Sequence, residues 1–382
     1  MRLEDFISGE YKQQFKYKSF MPSRINCEFT WDNPDINVLL EQANAELSKL
    51  NLMSKFIPNI NLFISMYFNK EAIFSTKIEG TKTEMDELLN DDYSSIKEIR
   101  NDKKEVQNYI NALNYAIDRL NDLPISNRLL KEIHKILMAG VRGENKYPGE
   151  FRITQNWIGG SSLINAFYIP PHQDDIETLM ADLENFIHNN VIRVPHLIKI
   201  AIIHYQFETI HPFCDGNGRL GRLLIILYLI NFKLLDKPIL YLSYFFEKHK
   251  PSYYDYLNNV RKNNDMISWI LFFLDGVIKM SKQAKDTLNK INNLKQDIDD
   301  IIKNNIKRNT KNMFKVLDYI FKKPIVNADE LIKNLNLNKM TTYNIIYKLE
   351  SLNILQEISG RERNKVYRFG KYLDLFGEGE VV

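Results

Sequence analysis

The chain holds 382 residues, 44% of them hydrophobic and 26% charged, which is enough apolar material for two or three packed domains. Its formal net charge of +3 excludes a polycation that coats nucleic acid along its whole surface. Two cysteines far apart in sequence, Cys27 and Cys214, exclude a disulfide framework and a four-ligand zinc site, and they fit a reducing compartment.

At the N-terminus, MRLEDFISGEYKQQFK lacks the apolar run of a signal peptide and carries acids that a transit peptide avoids, so a cytoplasmic protein is expected. Helical periodicity then dominates. VLLEQANAELSKLN, EVQNYINALNYAIDRL, ETLMADLENFI, LIKIAIIHYQFETI and MISWILFFLDGVIKM each space apolar residues three and four apart, and the fold class expected is mainly α. The longest apolar run, LLIILYLI at 223–230, is far shorter than the roughly 20 residues of a membrane span. It reads as a buried core helix, and no membrane partner is expected.

Within this helical pattern, EAIFSTKIEGTKTEMDELL at 71–89 puts Ser75 and Glu79 four apart on one helix face, beside an apolar stripe of Phe74 and Ile78. Gly80 is a natural C-cap, and Thr81 with Glu84 has the spacing of a capping box for the next helix. A short helix is therefore expected to stop just after Glu79. Further on, TQNWIGGSSLINAFYIPP reads as a β-hairpin over 154–170, with Gly159 and Gly160 at the turn and Pro170 and Pro171 ending the second arm. Its edge and the aromatics Trp157, Phe167 and Tyr168 suit docking of an extended peptide.

The densest chemistry lies in HPFCDGNGRLGR, 211–222, between an amphipathic helix and the apolar helix LGRLLIILYLINF. The glycines precede a helix N-terminus, where free N–H groups and the positive end of the dipole favour an anion. Gly216 and Gly218 allow close backbone approach. Arg219 and Arg222, three apart, share a face and could both reach one phosphate chain. Asp215 is a hard oxygen ligand suited to Mg2+, and His211 is suited to remove a proton near neutral pH. Base, metal ligand and phosphate cradle without a nucleophile point to transfer of a phosphorus centre onto a hydroxyl brought by another molecule. No Walker loop occurs in the chain.

The segment resembles, without departure, the signature of the Fic family, His-Pro-Phe-x-Asp/Glu-Gly-Asn-Gly-Arg-x-x-Arg, and HYQFETI before it is similar too. The resemblance, over residues 60 to 280, implies a Fic helical core with a β-hairpin flap, transferring AMP from ATP to a Ser, Thr or Tyr hydroxyl of a target protein that docks on the flap, 154–170. It implies His211 as general base, Phe213 as the loop's anchor and Asp215 as the Mg2+ ligand. It further implies Asn217 with the amides of Gly216 and Gly218 at the α-phosphate, and Arg219 and Arg222 at the distal phosphates. Cys214 falls at the variable position, which argues against a thiol nucleophile. Ser75, Glu79 and Gly80 resemble the inhibitory motif of Fic proteins whose inhibitory helix precedes the core. That implies an ion pair between Glu79 and Arg222 that denies the arginine to a γ-phosphate. His204 and Glu208, four apart, are read as structural, and His134, His172, His188, His196 and His249 receive no role.

From Ser281 to Asn312 the composition turns to Lys, Asn, Asp and Ile, which reads as a solvated connecting helix at a domain boundary. Residues 310–370 carry eleven Lys or Arg against six Asp or Glu, a local net of +5. Three helical patterns followed by a hairpin with Ser359 and Gly360 at its tip resemble a winged helix-turn-helix domain. KMTTYNIIYKLES would be its recognition helix, and Arg361, Arg363 and Lys365 would lie on a wing able to meet DNA phosphates. The expected organisation is an N-terminal helical region with the inhibitory helix over 1–100, the Fic core over 101–280, the connecting helix over 281–309 and the winged helix over 310–382. Other readings stay open: a DNA-binding regulator or adaptor whose core senses nucleotide, a Fic enzyme that transfers another phosphate-containing group, or one that removes AMP. Self-association is open as well.

Overall fold

The structure, a computed structural model, describes residues 1–57, 59–90, 97–305 and 310–377. In chain order, β1 (Gly9–Gln13) and β2 (Lys18–Pro22) precede α1 (Pro34–Phe56), α2 (Asn61–Ile78), α3 (Met85–Leu89), α4 (Lys97–Arg119) and α5 (Asn127–Leu137). An irregular stretch leads to α6 (Ile176–His188), α7 (His196–Ile210), α8 (Asn217–Asn231), α9 (Leu242–Lys248), α10 (Lys250–Asn263) and α11 (Met266–Asn305). Then come α12 (Thr310–Lys322), β3 (Ile325–Asn327), α13 (Ala328–Leu335), α14 (Lys339–Ser351), β4 (Gln356–Glu357), β5 (Val366–Arg368) and α15 (Gly370–Leu373). The fold is mainly α, and no helix of the described residues is long and apolar enough to cross a membrane.

A helix apolar on one stripe needs a neighbour on one side, whereas a helix apolar all round has to be enclosed. α2, α7 and α8 are of the second kind and are buried along almost their whole length. α2 is surrounded by α4, α8, α9 and α12, and α7 packs between α6, α8 and α11. α1 starts on an Asn33 cap with Pro34 in its first turn and lies along α11. This packing brings the end of α2 against the start of α8.

Several expectations change. The helix over 71–78 is not short but the last part of the 18-residue α2. It does end where expected, with Glu79 as C-cap and Gly80 at φ +105 donating its N–H to Lys77 O. The capping box that follows is Glu84 with Glu87, not Thr81 with Glu84, because α3 starts three residues later than the spacing suggested. β1 and β2 form an antiparallel hairpin that the sequence pattern does not show, since β1 is mostly exposed and has no apolar face. The Phe20 N–H bonds Ile169 O at 2.9 Å, fixing this hairpin to the end of the 154–170 segment.

The 154–170 hairpin itself turns at Gly159 and Gly160, both at φ +70, but its arms pair only at one bridge, Ile158 with Tyr168. Tyr168 is no docking surface: it is buried and its hydroxyl donates to Thr209 O at 2.7 Å, while Trp157 and Phe167 are exposed. The connecting helix expected over 281–309 is the continuation of α11 from Met266, with Ala284, Leu288, Ile291, Ile298 and Ile302 buried. It is therefore neither separate nor solvated on all sides; residues 306–309 lie outside the described residues, as do 58, 91–96 and 378–382 of the flanking regions. The C-terminal elements form an antiparallel sheet in the order β3-β5-β4 and pack directly on α2. Phe63 meets the Phe321 ring at 5.5 Å, Tyr67 meets Phe376 at 5.4 Å, and Arg368 pairs with Asp86 at 3.2 Å.

Candidate active site

α7 ends by turning left-handed at His211, φ +51 and ψ +59, a conformation that a side chain other than glycine adopts only when its surroundings hold it there. Those surroundings are well defined. The His211 carbonyl accepts from Arg152 Nε at 3.0 Å, and the Phe213 carbonyl accepts from Asn156 Nδ2 at 3.0 Å and Asn217 Nδ2 at 2.8 Å. Asn217 Oδ1 in turn accepts from the Phe213 N–H at 2.9 Å, which closes the loop on itself. The Phe213 ring is buried and stacks on His134 with centroids 3.9 Å apart. The Gly149 N–H donates to His134 Nδ1, so the ring proton sits on Nε2 and is given to Asp215 O at 2.9 Å.

His211 is thus presented by a rigid loop. Burial, seconded by the positive charge of Arg152, pushes its pKa down to about 4, so the imidazole is neutral at pH 7 and able to accept a proton. Its Nδ1 is buried and has no hydrogen-bond partner. Gly216, at φ +75, starts α8, and the first N–H groups of a helix have no intrahelical carbonyl to bond. Asp215 takes the Gly216 N–H on Oδ1 at 2.7 Å and Lys146 on Oδ2 at 3.1 Å. Burial would raise the Asp215 pKa, but Lys146 and Arg219 hold it below the usual carboxylate range.

The arginines do not converge as their spacing suggested. Arg219, 3% exposed, gives Nη1 to Glu105 Oε2 on α4 at 2.8 Å. Arg222, 2% exposed, gives Nη2 to Glu79 Oε1 at 2.6 Å and to Ser75 O at 2.7 Å, and Nε to Ser75 Oγ at 3.0 Å. Each buried guanidinium takes the carboxylate of the helix packed on its own side, because an unpaired buried charge is costly. Asn217 is likewise not free to hold a phosphate, being 1% exposed with its amide committed to Phe213.

Ser75, Glu79 and Arg222 therefore meet at one point, the α8 N-terminus. A Cβ on Gly218 would collide with Glu79 Oε1, so the carboxylate lies directly on the backbone where an anion is favoured. Burial would raise the Glu79 pKa, but the Arg222 charge and hydrogen bond bring it below the ordinary value, and the group is an anion at neutral pH. Glu208 is also buried here. Its Oε1 has no hydrogen-bond partner, and burial raises its pKa to about 7 against the pull of Arg222.

His204 donates Nδ1–H to Gly221 O at 3.1 Å and accepts the Tyr253 hydroxyl at 2.9 Å on Nε2, within a packed aromatic cluster. Cys214 is a half-buried free thiol. Among the described residues no group of three or more His, Cys, Asp or Glu is arranged to hold a metal ion. Sequence reasoning missed Arg152, Asn156, His134 and Glu105. None carries a spacing that marks it, although Arg152 and Asn156 share one segment, and each acts across 55 to 114 residues.

Comparison with known proteins matches residues 38–118 to the family described as Fic/DOC family N-terminal and residues 124–229 to that described as Fic/DOC family. Among curated proteins, the chain is 33% identical over 168 residues to a protein adenylyltransferase Fic of Culex quinquefasciatus and 32% identical over 168 residues to that of Aedes aegypti. The matched stretch is 44% of this chain but only 30% of either relative. Among solved structures, a Fic family protein from Desulfovibrio desulfuricans G20 superposes with a TM-score of 0.57 at 20% identity, covering 91% of this chain and 98% of that one. Fic-1 (aa134 - 508) from C. elegans does so with a TM-score of 0.50 at 18% identity, covering 69% and 75%. These two likenesses show the fold.

Proposed function

Since the chain belongs to the Fic/DOC family, we propose that it is a protein adenylyltransferase held inactive by its own helix α2. The observation that carries this reading is the Arg222 guanidinium closed by Glu79 and Ser75 at the α8 N-terminus, beside a neutral His211. In the released state the triphosphate of ATP takes the place of the Glu79 carboxylate, with Arg222 on its distal end and the α8 N-terminus beneath it. A Ser, Thr or Tyr hydroxyl of the target gives its proton to His211 as its oxygen attacks the α-phosphorus. The new O–P bond forms, the bond from the α-phosphorus to the bridging oxygen breaks, and pyrophosphate leaves.

A single carboxylate, 24% exposed and covered on one side by the exposed Lys146, fits Mg2+ better than a metal that needs a full protein cage. Asp215 would hold such an ion, which would neutralise phosphate charge when bound. With the lock closed, Arg222 cannot reach a γ-phosphate, and the Glu79 charge repels one.

We read the target as docking along 154–170, where Trp157, Ile164 and Phe167 are exposed. The order α12-β3-α13-α14-β4-β5 supports a winged helix-turn-helix module beginning at residue 310, with Arg361, Arg363 and Lys365 on the loop between β4 and β5. We place the protein in the cytoplasm. The test of the enzyme is transfer of labelled AMP from ATP to protein: Glu79→Gly should label and the same chain carrying His211→Ala should not. Labelling that survives loss of the imidazole would refute the proposed base.

A further inference from the structure

Arg152 stands between the catalytic loop and the flap, a buried cation that pairs with no carboxylate among the described residues. It is 2% exposed and makes no ion pair among the described residues. Burial lowers its pKa to about 10, so it remains charged at pH 7. Its guanidinium is satisfied by carbonyls alone: Nε by His211 O at 3.0 Å, Nη1 by Thr154 O at 3.1 Å and Nη2 by Pro171 O at 2.6 Å. Its own N–H bonds Pro212 O at 2.9 Å. These acceptors belong to the left-handed turn that presents His211, to the start of the flap and to the residue just past its end.

A simple structural brace would be cheaper as an amide or a hydroxyl, because burying an unpaired charge is costly. The planar fork explains the choice: one rigid group spans three carbonyls whose relative positions decide where a target hydroxyl meets the base. The flap needs such a hold, since its arms share only the Ile158–Tyr168 bridge. We propose that Arg152 is a positioning residue for the transfer reaction, locking the His211 turn and both ends of the flap into one register so that an acceptor strand docked on the flap delivers its hydroxyl to His211. This rests on the adenylyltransferase reading above.

The fork and the charge have separable consequences. Of the charged groups that face His211, Arg152 and Arg261 on α10 disfavour the imidazolium, and Glu79 at the end of α2 favours it. Arg152 is the strongest of the three. Removing its charge raises the His211 pKa towards the ordinary histidine value. Removing only its fork, by lysine, leaves the titration where it is and loosens the flap.

The test uses the full chain with Arg152→Lys and Arg152→Gln. Proton NMR follows the His211 titration, assigned by its loss in His211→Ala, and hydrogen exchange follows the Ile158, Phe167 and Tyr168 amides. AMP labelling is read in the Glu79→Gly background. Both variants should speed exchange at those amides at least tenfold and cut labelling at least tenfold, and only Arg152→Gln should move the His211 titration to higher pH. The proposal is overturned if Arg152→Lys keeps the parental exchange and labelling, or if Arg152→Gln leaves the titration unmoved. Should Arg152→Gln not fold, Arg152→Lys decides alone. Absence of labelling in Glu79→Gly itself would sink the adenylyltransferase reading and leave the exchange and titration results to judge the role of Arg152 in holding the loop.

Discussion

The Arg222 lock allows a graded prediction. Its Glu79 arm is a charge-assisted hydrogen bond of 2.6 Å, and such bonds contribute about 1.5–3 kcal/mol net. Glu79 is 32% exposed, so solvent screening places it in the lower part of that range, about 1.5–2 kcal/mol. At about 1.4 kcal/mol per factor of ten, Glu79→Gly should raise the initial rate of AMP transfer about 10- to 30-fold at sub-saturating ATP. Ser75→Ala removes only the 3.0 Å bond from Nε and leaves the one to Ser75 O, so about 0.5–1.5 kcal/mol and about a 2- to 10-fold rise are expected. Glu79→Gln keeps a neutral acceptor, does not loosen the helix end as glycine does, and should fall between the two. The assay is incorporation of labelled AMP into protein with ATP binding measured in parallel. Equal rates for the wild type and Glu79→Gly, or a larger rise in Ser75→Ala than in Glu79→Gly, would refute the lock.

Stability should fall on acidification, and the sign follows from five buried groups. Burial depresses the pKa of His134 and His211 to about 4 and of His204 to about 3, and raises Glu71 and Glu208 to about 7. Around pH 5.5 the unfolded chain holds about three protons on the imidazoles against about two on the folded chain's carboxyls, so stability drops by about 1.4 kcal/mol per pH unit there, and faster nearer pH 4.5, where the unfolded carboxyls protonate too. Above pH 7 the two carboxyls ionise at a cost, which puts the optimum for these groups near pH 6.5–7; urea unfolding at pH 5, 6.5 and 8 checks this, and a chain no weaker at pH 5 would contradict it. Separately, residues 310–377 within the full chain should retard a DNA fragment at low salt and lose it as salt rises, with Arg361→Ala plus Arg363→Ala weakening the shift. No retardation at low salt would remove DNA as the partner.

The residues of the proposed site in 211–222 could be picked out because they are condensed: His211, Asp215, the glycines and the arginines lie within one turn and a loop, and local spacing is what a sequence displays. What braces that loop could not. Arg152, His134 and Glu105 are single residues in unrelated segments, brought to it only by the packing of α4, α5 and the flap. Spacing also misled. Arg219 and Arg222 do sit on neighbouring positions of α8, but the periodicity of one helix cannot say which carboxylates its neighbours bring. The helices themselves could be read from their apolar spacing, whereas β1 and β2 could not, having no alternation to display.

The extent of α2 was hidden for a related reason, since a helix buried on every side shows no polar stripe. That burial decides how the lock can open. Withdrawing α2 would expose Phe63, Met66, Tyr67, Ile73 and Phe74, each contributing about 1.5–3 kcal/mol, and would break its packing on Phe321 and Phe376. Rotating the Glu79 side chain gives up its ion pair with Arg222, about 1.5–2 kcal/mol after solvent screening, and a rotamer change of about 1 kcal/mol, far less than exposing those side chains. Glu79 is the C-cap just past Ile78, the last residue of α2, and a Cβ on Gly80 would meet open space, so the carboxylate can turn aside while the helix stays in place. On the inhibitory role proposed above, placing the Glu79 carboxylate at a helix end, rather than within one of the buried turns, makes its release compatible with a stable core.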